Sequence, residues 1–157
     1  MATEKELKLA KEAYDTLCRT LDKMEWNYEK DDENFIIRFG VRGDDIPMKF
    51  VVACDAERQL IRLMSYLPFR IKEDKRIDGA IATSYANFLL ADGSFDYDLT
   101  DGSIAFRMTS SFRESVVGEE LFSYMIHVSC MTVDKYNDQF MKISEGALSI
   151  ADFYRNN

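Results

Sequence analysis

Residues 35–69, FIIRFGVRGDDIPMKFVVACDAERQLIRLMSYLPF, hold the pattern from which the fold can be built outward. Three apolar runs are separated by polar breaks, which predicts an antiparallel three-strand meander. In the first run Phe35, Ile37, Phe39 and Val41 fall on one face, and Ile36, Arg38, Gly40 and Arg42 on the other. That period of two belongs to a strand with one buried face. After Arg42-Gly43-Asp44-Asp45, Pro47 stands at the start of the next strand, where a missing N–H does least harm. Met48, Phe50, Val52 and Cys54 then alternate with Lys49, Val51, Ala53 and Asp55. The third run, Gln59–Phe69, is apolar on both faces, with Ile61, Leu63 and Leu67 on one and Leu60, Met64 and Tyr66 on the other. Such a strand is either covered twice or left partly open for a partner. Pro68 is expected to help close it.

Upstream, Thr3 and Glu6 form a capping-box pattern. Leu7, Ala10, Tyr14, Leu17, Leu21 and Met24 then recur every three or four residues, one apolar stripe on a helix of about six turns. Lys8, Glu12, Asp15, Arg19 and Asp22 occupy the opposite face, with Asp15 and Arg19 spaced as an (i, i+4) ion pair. Trp26–Lys30 suits a short edge strand that turns at Asp31–Asn34.

Downstream, Lys72–Ala91 reads as a second helix, with Ile77, Ile81, Ser84, Tyr85, Phe88 and Leu89 as its inner face. Gly79 inside it costs up to about 1 kcal/mol relative to Ala. Asp92-Gly93 ends it. Phe95, Tyr97 and Leu99 alternate with Asp96 and Asp98, and Thr100-Asp101-Gly102-Ser103 places Asp-Gly at a hairpin tip. Ile104, Phe106, Met108 and Phe112 return, with Arg107, Thr109 and Arg113 facing the other way. Glu119-Glu120 put negative charge at the start of a third helix, where its dipole favours it. Its stripe of Leu121, Met125, Val128, Thr132, Tyr136, Phe140 and Ile143 is widened by Phe122, Ile126 and Val133, as a heavily covered helix requires. Gly146 breaks it, leaving Ala147–Tyr154 as a short terminal segment. The expected fold is α+β: an antiparallel sheet of five to six strands packed against the N-terminal and the long C-terminal helix, with another helix between strands. Residues 1–157 carry no linker, repeat or low-complexity tract that divides them, so one domain is expected.

A chain of 157 residues that is 46% hydrophobic and 13% aromatic can build a full core without disulfides or metals. A net charge of −8 argues against nucleic acid, which is bound by Lys and Arg neutralising phosphates. The densest positive stretch, Arg70–Arg76, is interrupted by Glu73 and Asp74. Cys18, Cys54 and Cys130 lie far apart among apolar neighbours, as reduced cytosolic thiols do. No apolar h-region follows the N-terminus and no run approaches 20 apolar residues, so a cytoplasmic location away from the membrane is expected.

Little in the chain points to catalysis. His127, the only histidine, shares a polar helical stripe with Glu120, Ser123 and Asp134 and has no companion ligand. Cys130 lacks a positive neighbour, and no nucleophile elbow or Gly-rich phosphate loop occurs. Asp92, Asp96, Asp98 and Asp101 invite a calcium reading. An EF-hand loop from Asp96 would need Gly and an acid where Asp101 and Arg107 stand, so a wet hairpin face is the simpler account. No catalytic, metal or cofactor residue is assigned. Most of the eight methionines fall on core stripes. The exception is the set Leu60, Met64 and Tyr66 with Arg62 among them, whose face is covered either by the second helix or by a partner.

The segment Asn87–Gly146 resembles the YbjN-like family of bacterial proteins, whose fold is similar to type III secretion chaperones. The likeness rests on Asn87 in the second helix, Gly93, Phe95, the hairpin Gly102, the aromatic-Arg pair Phe106 and Arg107, and the Asp-x-Tyr of Asp134 and Tyr136. The N-terminal half agrees in element order more than in residues. The resemblance implies a non-enzymatic, protein-binding domain, described for the family as a regulator of sensory transduction, with a protein partner or a second copy of itself. The alternative expectation is a small-ligand sensor or enzyme using a pocket between the sheet and the C-terminal helix.

Overall fold

A computed structural model describes residues 1–157. The chain runs α1 (Glu4–Lys23), β1 (Glu29–Asp31), β2 (Ile36–Val41), β3 (Met48–Asp55), β4 (Leu60–Arg70), α2 (Arg76–Leu89), β5 (Ser94–Tyr97), β6 (Ser103–Ser111), α3 (Glu119–Ser144) and α4 (Ile150–Asn156). A 3₁₀ turn, Glu73–Lys75, leads into α2. The six strands form one sheet in the order β1-β2-β3-β4-β6-β5, antiparallel throughout. The fold is therefore α+β with two layers. No helix is long and apolar enough to cross a membrane.

The alternation in residues 35–69 sets the inner face of the sheet. Ile37 and Phe39 on β2, Phe50, Val52 and Cys54 on β3, and Ile61, Leu63 and Leu67 on β4 are all buried. Phe106 and Met108 of β6 and Phe95 of β5 continue that face. All belong to one core cluster of 32 residues. Phe35 itself stands just outside β2 with φ 54°, and its carbonyl accepts a 3.0 Å hydrogen bond from the Cys54 amide. The strand β4 runs past Pro68 to Arg70 instead of ending there. The register slips between Tyr66 and Arg70, so the residue without an N–H sits where the ladder is interrupted.

The capping box at Thr3 forms as read, with Thr3 Oγ1 accepting from the Glu6 amide at 3.3 Å and Glu6 Oε2 accepting from the Thr3 amide at 2.7 Å. The (i, i+4) ion pair of α1 joins Lys11 to Asp15 at 2.7 Å, not Asp15 to Arg19. Arg19 instead lies 3.6 Å from Glu119, which also takes Lys23 at 2.6 Å, so the end of α1 is tied to the start of α3. A partner 96 residues away from Lys23 in the sequence has no signature in local spacing.

The second helix departs most from expectation. Its inner face consists of Gly79, Ala82, Thr83 and Ala86, all buried, whereas Ile77 is 65% and Phe88 82% exposed. Small residues line the inside because α2 lies close on its neighbours. A Cβ at Gly79 would stand 2.8 Å from the Tyr97 hydroxyl and 3.0 Å from Ile71 Cγ1. The helix-propensity cost of Gly79 is thus the condition for that approach. At the β5–β6 connection, Asp98–Gly102 makes a wider loop than a two-residue Asp-Gly turn. Asp98 Oδ1 accepts from the Thr100 amide at 2.8 Å and Asp101 Oδ1 from the Ser103 amide at 2.9 Å, which holds the wider form.

Between sheet and helices the space is filled. Phe122, Met125, Ile126, Tyr136 and Phe140 of α3 are each 1% exposed or less. Phe95, Tyr136, Phe140 and Phe153 form an aromatic group with centroid separations of 5.0–6.2 Å. The region where a ligand pocket under α3 was the alternative expectation is occupied by these rings.

Candidate protein-interaction surface

The outward residues of the strands form a second sheet face on which no helix packs. Along β4 the expected set divides by depth: Leu60 and Met64 are half-buried, Arg62 is exposed, and Tyr66 is 64% exposed. Helix α2, named as one way of covering them, lies against β5 on the opposite face instead. Cross-strand neighbours extend the surface beyond the residues singled out in the sequence. Val51 is opposite both Met64 and Arg38, and Ala53 is opposite Arg62. A hollow of ≈ 520 Å³ is lined by Arg38, Gly40, Lys49 and Val51, and another of ≈ 400 Å³ by Met64, Tyr66, Asp96 and Leu99. The two abut at the Val51–Met64 cross-strand pair. Arg38, Lys49 and Val51 were legible as outward positions by alternation, but nothing in the sequence marked that alternation as the uncovered side.

A separate apolar area lies on the outside of α2. Ile77, Ile81, Tyr85 and Phe88 line a shallow trough of ≈ 570 Å³. Tyr85 stacks on Phe88 at 6.5 Å and meets the half-exposed Tyr154 of α4 at 4.9 Å.

The residues weighed for chemistry are dispersed. His127 is exposed, its Nδ1–H donating to the Ser123 carbonyl at 2.8 Å, with Trp26 at 6.5 Å. Burial pushes the Cys54 and Cys130 thiols up to about 12, with Asp134 adding to the shift at Cys130, and Cys18 is raised mainly by burial as well. The four hairpin acids have separate partners. Asp92 accepts from the Tyr124 hydroxyl at 3.1 Å, Asp96 grips Arg107 at 2.7 and 3.0 Å, and Asp98 and Asp101 cap their loop.

The motif residues of the C-terminal half have structural tasks. The Asn87 side chain closes a two-point clamp on β5, accepting from the Phe95 amide at 2.7 Å and donating to its carbonyl at 3.0 Å. Gly93 has φ +74°, and a Cβ there would run into the Phe106 ring. Gly102 has φ +76°, and its carbonyl accepts from the Ile71 amide at 2.8 Å. Asp134 accepts from the Asp44 amide at 2.9 Å, pinning the β2–β3 loop to α3, while Tyr136 is buried beside Phe95.

No family model and no curated protein matches this sequence. Among solved structures, YbjN from E. coli, a candidate transcription regulator, superposes with a TM-score of 0.57 at 14% identity, over 80% of this chain and 92% of that one. The fold is YbjN-like. The HopA1–SchA chaperone–effector complex gives a TM-score of 0.54, again at 14% identity, over 82% of this chain and 95% of the matched chain. The YbjN-like fold is thus also chaperone-like, as the α+β reading of the sequence led one to expect. Neither neighbour is described as an enzyme.

Proposed function

We propose that this chain is a non-enzymatic protein-binding domain, chaperone-like or regulatory in role, working in a bacterial cytoplasm where its thiols stay reduced. It holds a segment of a partner polypeptide against the uncovered sheet face around Leu60, Arg62, Met64 and Tyr66. One observation carries this reading: a six-stranded sheet has all its helices on one side, with Tyr66 64% exposed beside Met64 and Val51 on the other. An apolar strip rimmed by polar residues fits a binding surface. A neighbour whose structure is a chaperone–effector complex fits a protein partner as well.

A second copy of the chain is the partner proposed for α2. Ile77, Ile81, Ser84 and Phe88 follow the 4-3-4 spacing of a helix-pairing seam. An antiparallel two-fold arrangement would set Ile77 against Phe88 and Ile81 against Ser84 of the other copy. Sensory-transduction regulation would then be a matter of which protein occupies the sheet.

The test is capture of partners from the source cells, followed by rebinding of the purified partner. Met64→Asp with Tyr66→Asp should weaken rebinding about tenfold or more, the loss of well-packed hot-spot contacts, while circular dichroism stays native. Unchanged rebinding by a folded double variant removes this face from the function.

A further inference from the structure

The uncovered face differs in charge from the chain as a whole. Although the net charge is −8, Arg38, Lys49 and Arg62 stand exposed on the adjacent strands β2, β3 and β4. None of the three belongs to the ion pairs of the structure. The fourth cation of this face, Arg107, is neutralised by Asp96. The three unpaired cations surround an apolar centre of Val51, Ala53 and Met64. Two carboxylates adjoin the cations: Glu29, opposite Arg38 on the edge strand, lines the same hollow, and Asp55, at the far end of β3, is held by Arg58 at 2.9 Å.

We infer that this face takes an extended peptide segment of the form acid-x-apolar-x-acid. The inference rests on the reading of the face as a binding surface and adds the chemistry of what is bound. The spacing fits. Arg38 and Arg62 are separated by two strand intervals and offset by two residues, about 12 Å on ordinary sheet dimensions. In an extended peptide, side chains at i and i+4 share one face about 13 Å apart, with i+2 between them. One acid can therefore meet Arg38, the next Arg62, and the apolar residue between them Val51 and Met64, while Lys49 adds to the field. A narrow segment running from Arg38 to Arg62 meets one free carboxylate, Glu29, beside Arg38. A membrane or a duplex, being broader, would bring its phosphates against Asp31 as well, on a chain already negative.

The test is selection of short peptides from a displayed library on the intact chain, alongside Arg62→Glu and the triple variant Arg38→Glu/Lys49→Glu/Arg62→Glu. Peptides selected by the wild type should be rich in Asp and Glu at the stated spacing. Their binding should weaken about tenfold as ionic strength rises from about 0.05 to about 0.5 M, because exposed charges are screened. The single reversal should weaken it as well, which keeps the test decisive if the triple variant fails to fold. Selected peptides without acids, held equally by Arg62→Glu but lost on Met64→Asp, would overturn the acidic preference and leave the face a binding surface. No enrichment on the wild type, or binding indifferent to Met64→Asp, would overturn both. Anionic phospholipid vesicles or a DNA duplex bound as tightly as the best peptide would overturn the peptide assignment.

Discussion

Removing the Asn87 amide would leave the amide and the carbonyl of Phe95 without their present partners on a strand of only four residues. Asn87→Ala should therefore cost about 1–3 kcal/mol, the sum of two hydrogen bonds at about 0.5–1.5 each. Urea unfolding would show it, together with lost exchange protection at the Phe95 amide; an unchanged midpoint would refute the clamp. The thiols allow a pH prediction. Cys54 has a folded-state value raised from 9.0 to about 12 by burial. Its contribution is intact below pH 9 and drains away as pH rises from 9 toward 12, because the unfolded thiol ionises first. Stability should fall between pH 8.5 and about 11, and Cys54→Ala, though less stable, should fall less steeply. Equal slopes for the two proteins would contradict the burial of that thiol.

At the scale of elements, α2 tests the reading of amphipathicity. Apolarity alone pointed to Ile77, Ile81 and Phe88 as the inside, yet the inside is Gly79, Ala82, Thr83 and Ala86. Hydrophobic periodicity reports that a helix has two faces. It does not say which one faces the core when close packing selects small residues and a large apolar face is left outside. By contrast, α1 from Ala10 onward, the meander and α3 were legible, because each buries its bulkiest stripe against a neighbour; only Leu7, in the first turn of α1, stays exposed. Phe88→Ser should change stability by less than about 0.5 kcal/mol, as an exposed substitution does, whereas Ala86→Leu should cost about 1–3 kcal/mol by overpacking. The reverse order in thermal unfolding would restore the original orientation. If α2 pairs with a second copy, Ile81→Glu should make the chain monomeric in sedimentation equilibrium and remove only the concentration-dependent part of its melting temperature, the part that pairing supplies. A wild type monomeric at every concentration would end that assignment.

For the whole molecule, the decisive fact is a sheet clothed on one side. The sequence announced a strand apolar on both faces in Leu60–Tyr66, and the choice between double cover and an open side depended on where α2 docks, a tertiary matter. The core side should be intolerant and the open side permissive. Phe140→Ala, in the ring group with Phe95, Tyr136 and Phe153, should cost about 3–5 kcal/mol. Tyr66→Asp should leave the unfolding midpoint nearly unmoved. Comparable losses for both would mean that the exposed side is structural after all.

The sheet ends on β1, with three residues, Glu29-Lys30-Asp31, and on β5, with four. Rows of backbone groups at a sheet margin invite copies of a protein to stack without limit into fibres, and brevity and charge discourage this. A molecule that keeps one greasy side bare can therefore stay dispersed at high concentration, because its borders offer too little ladder to extend. Lengthening β1 with alternating valines should turn the same domain into a seed for filaments.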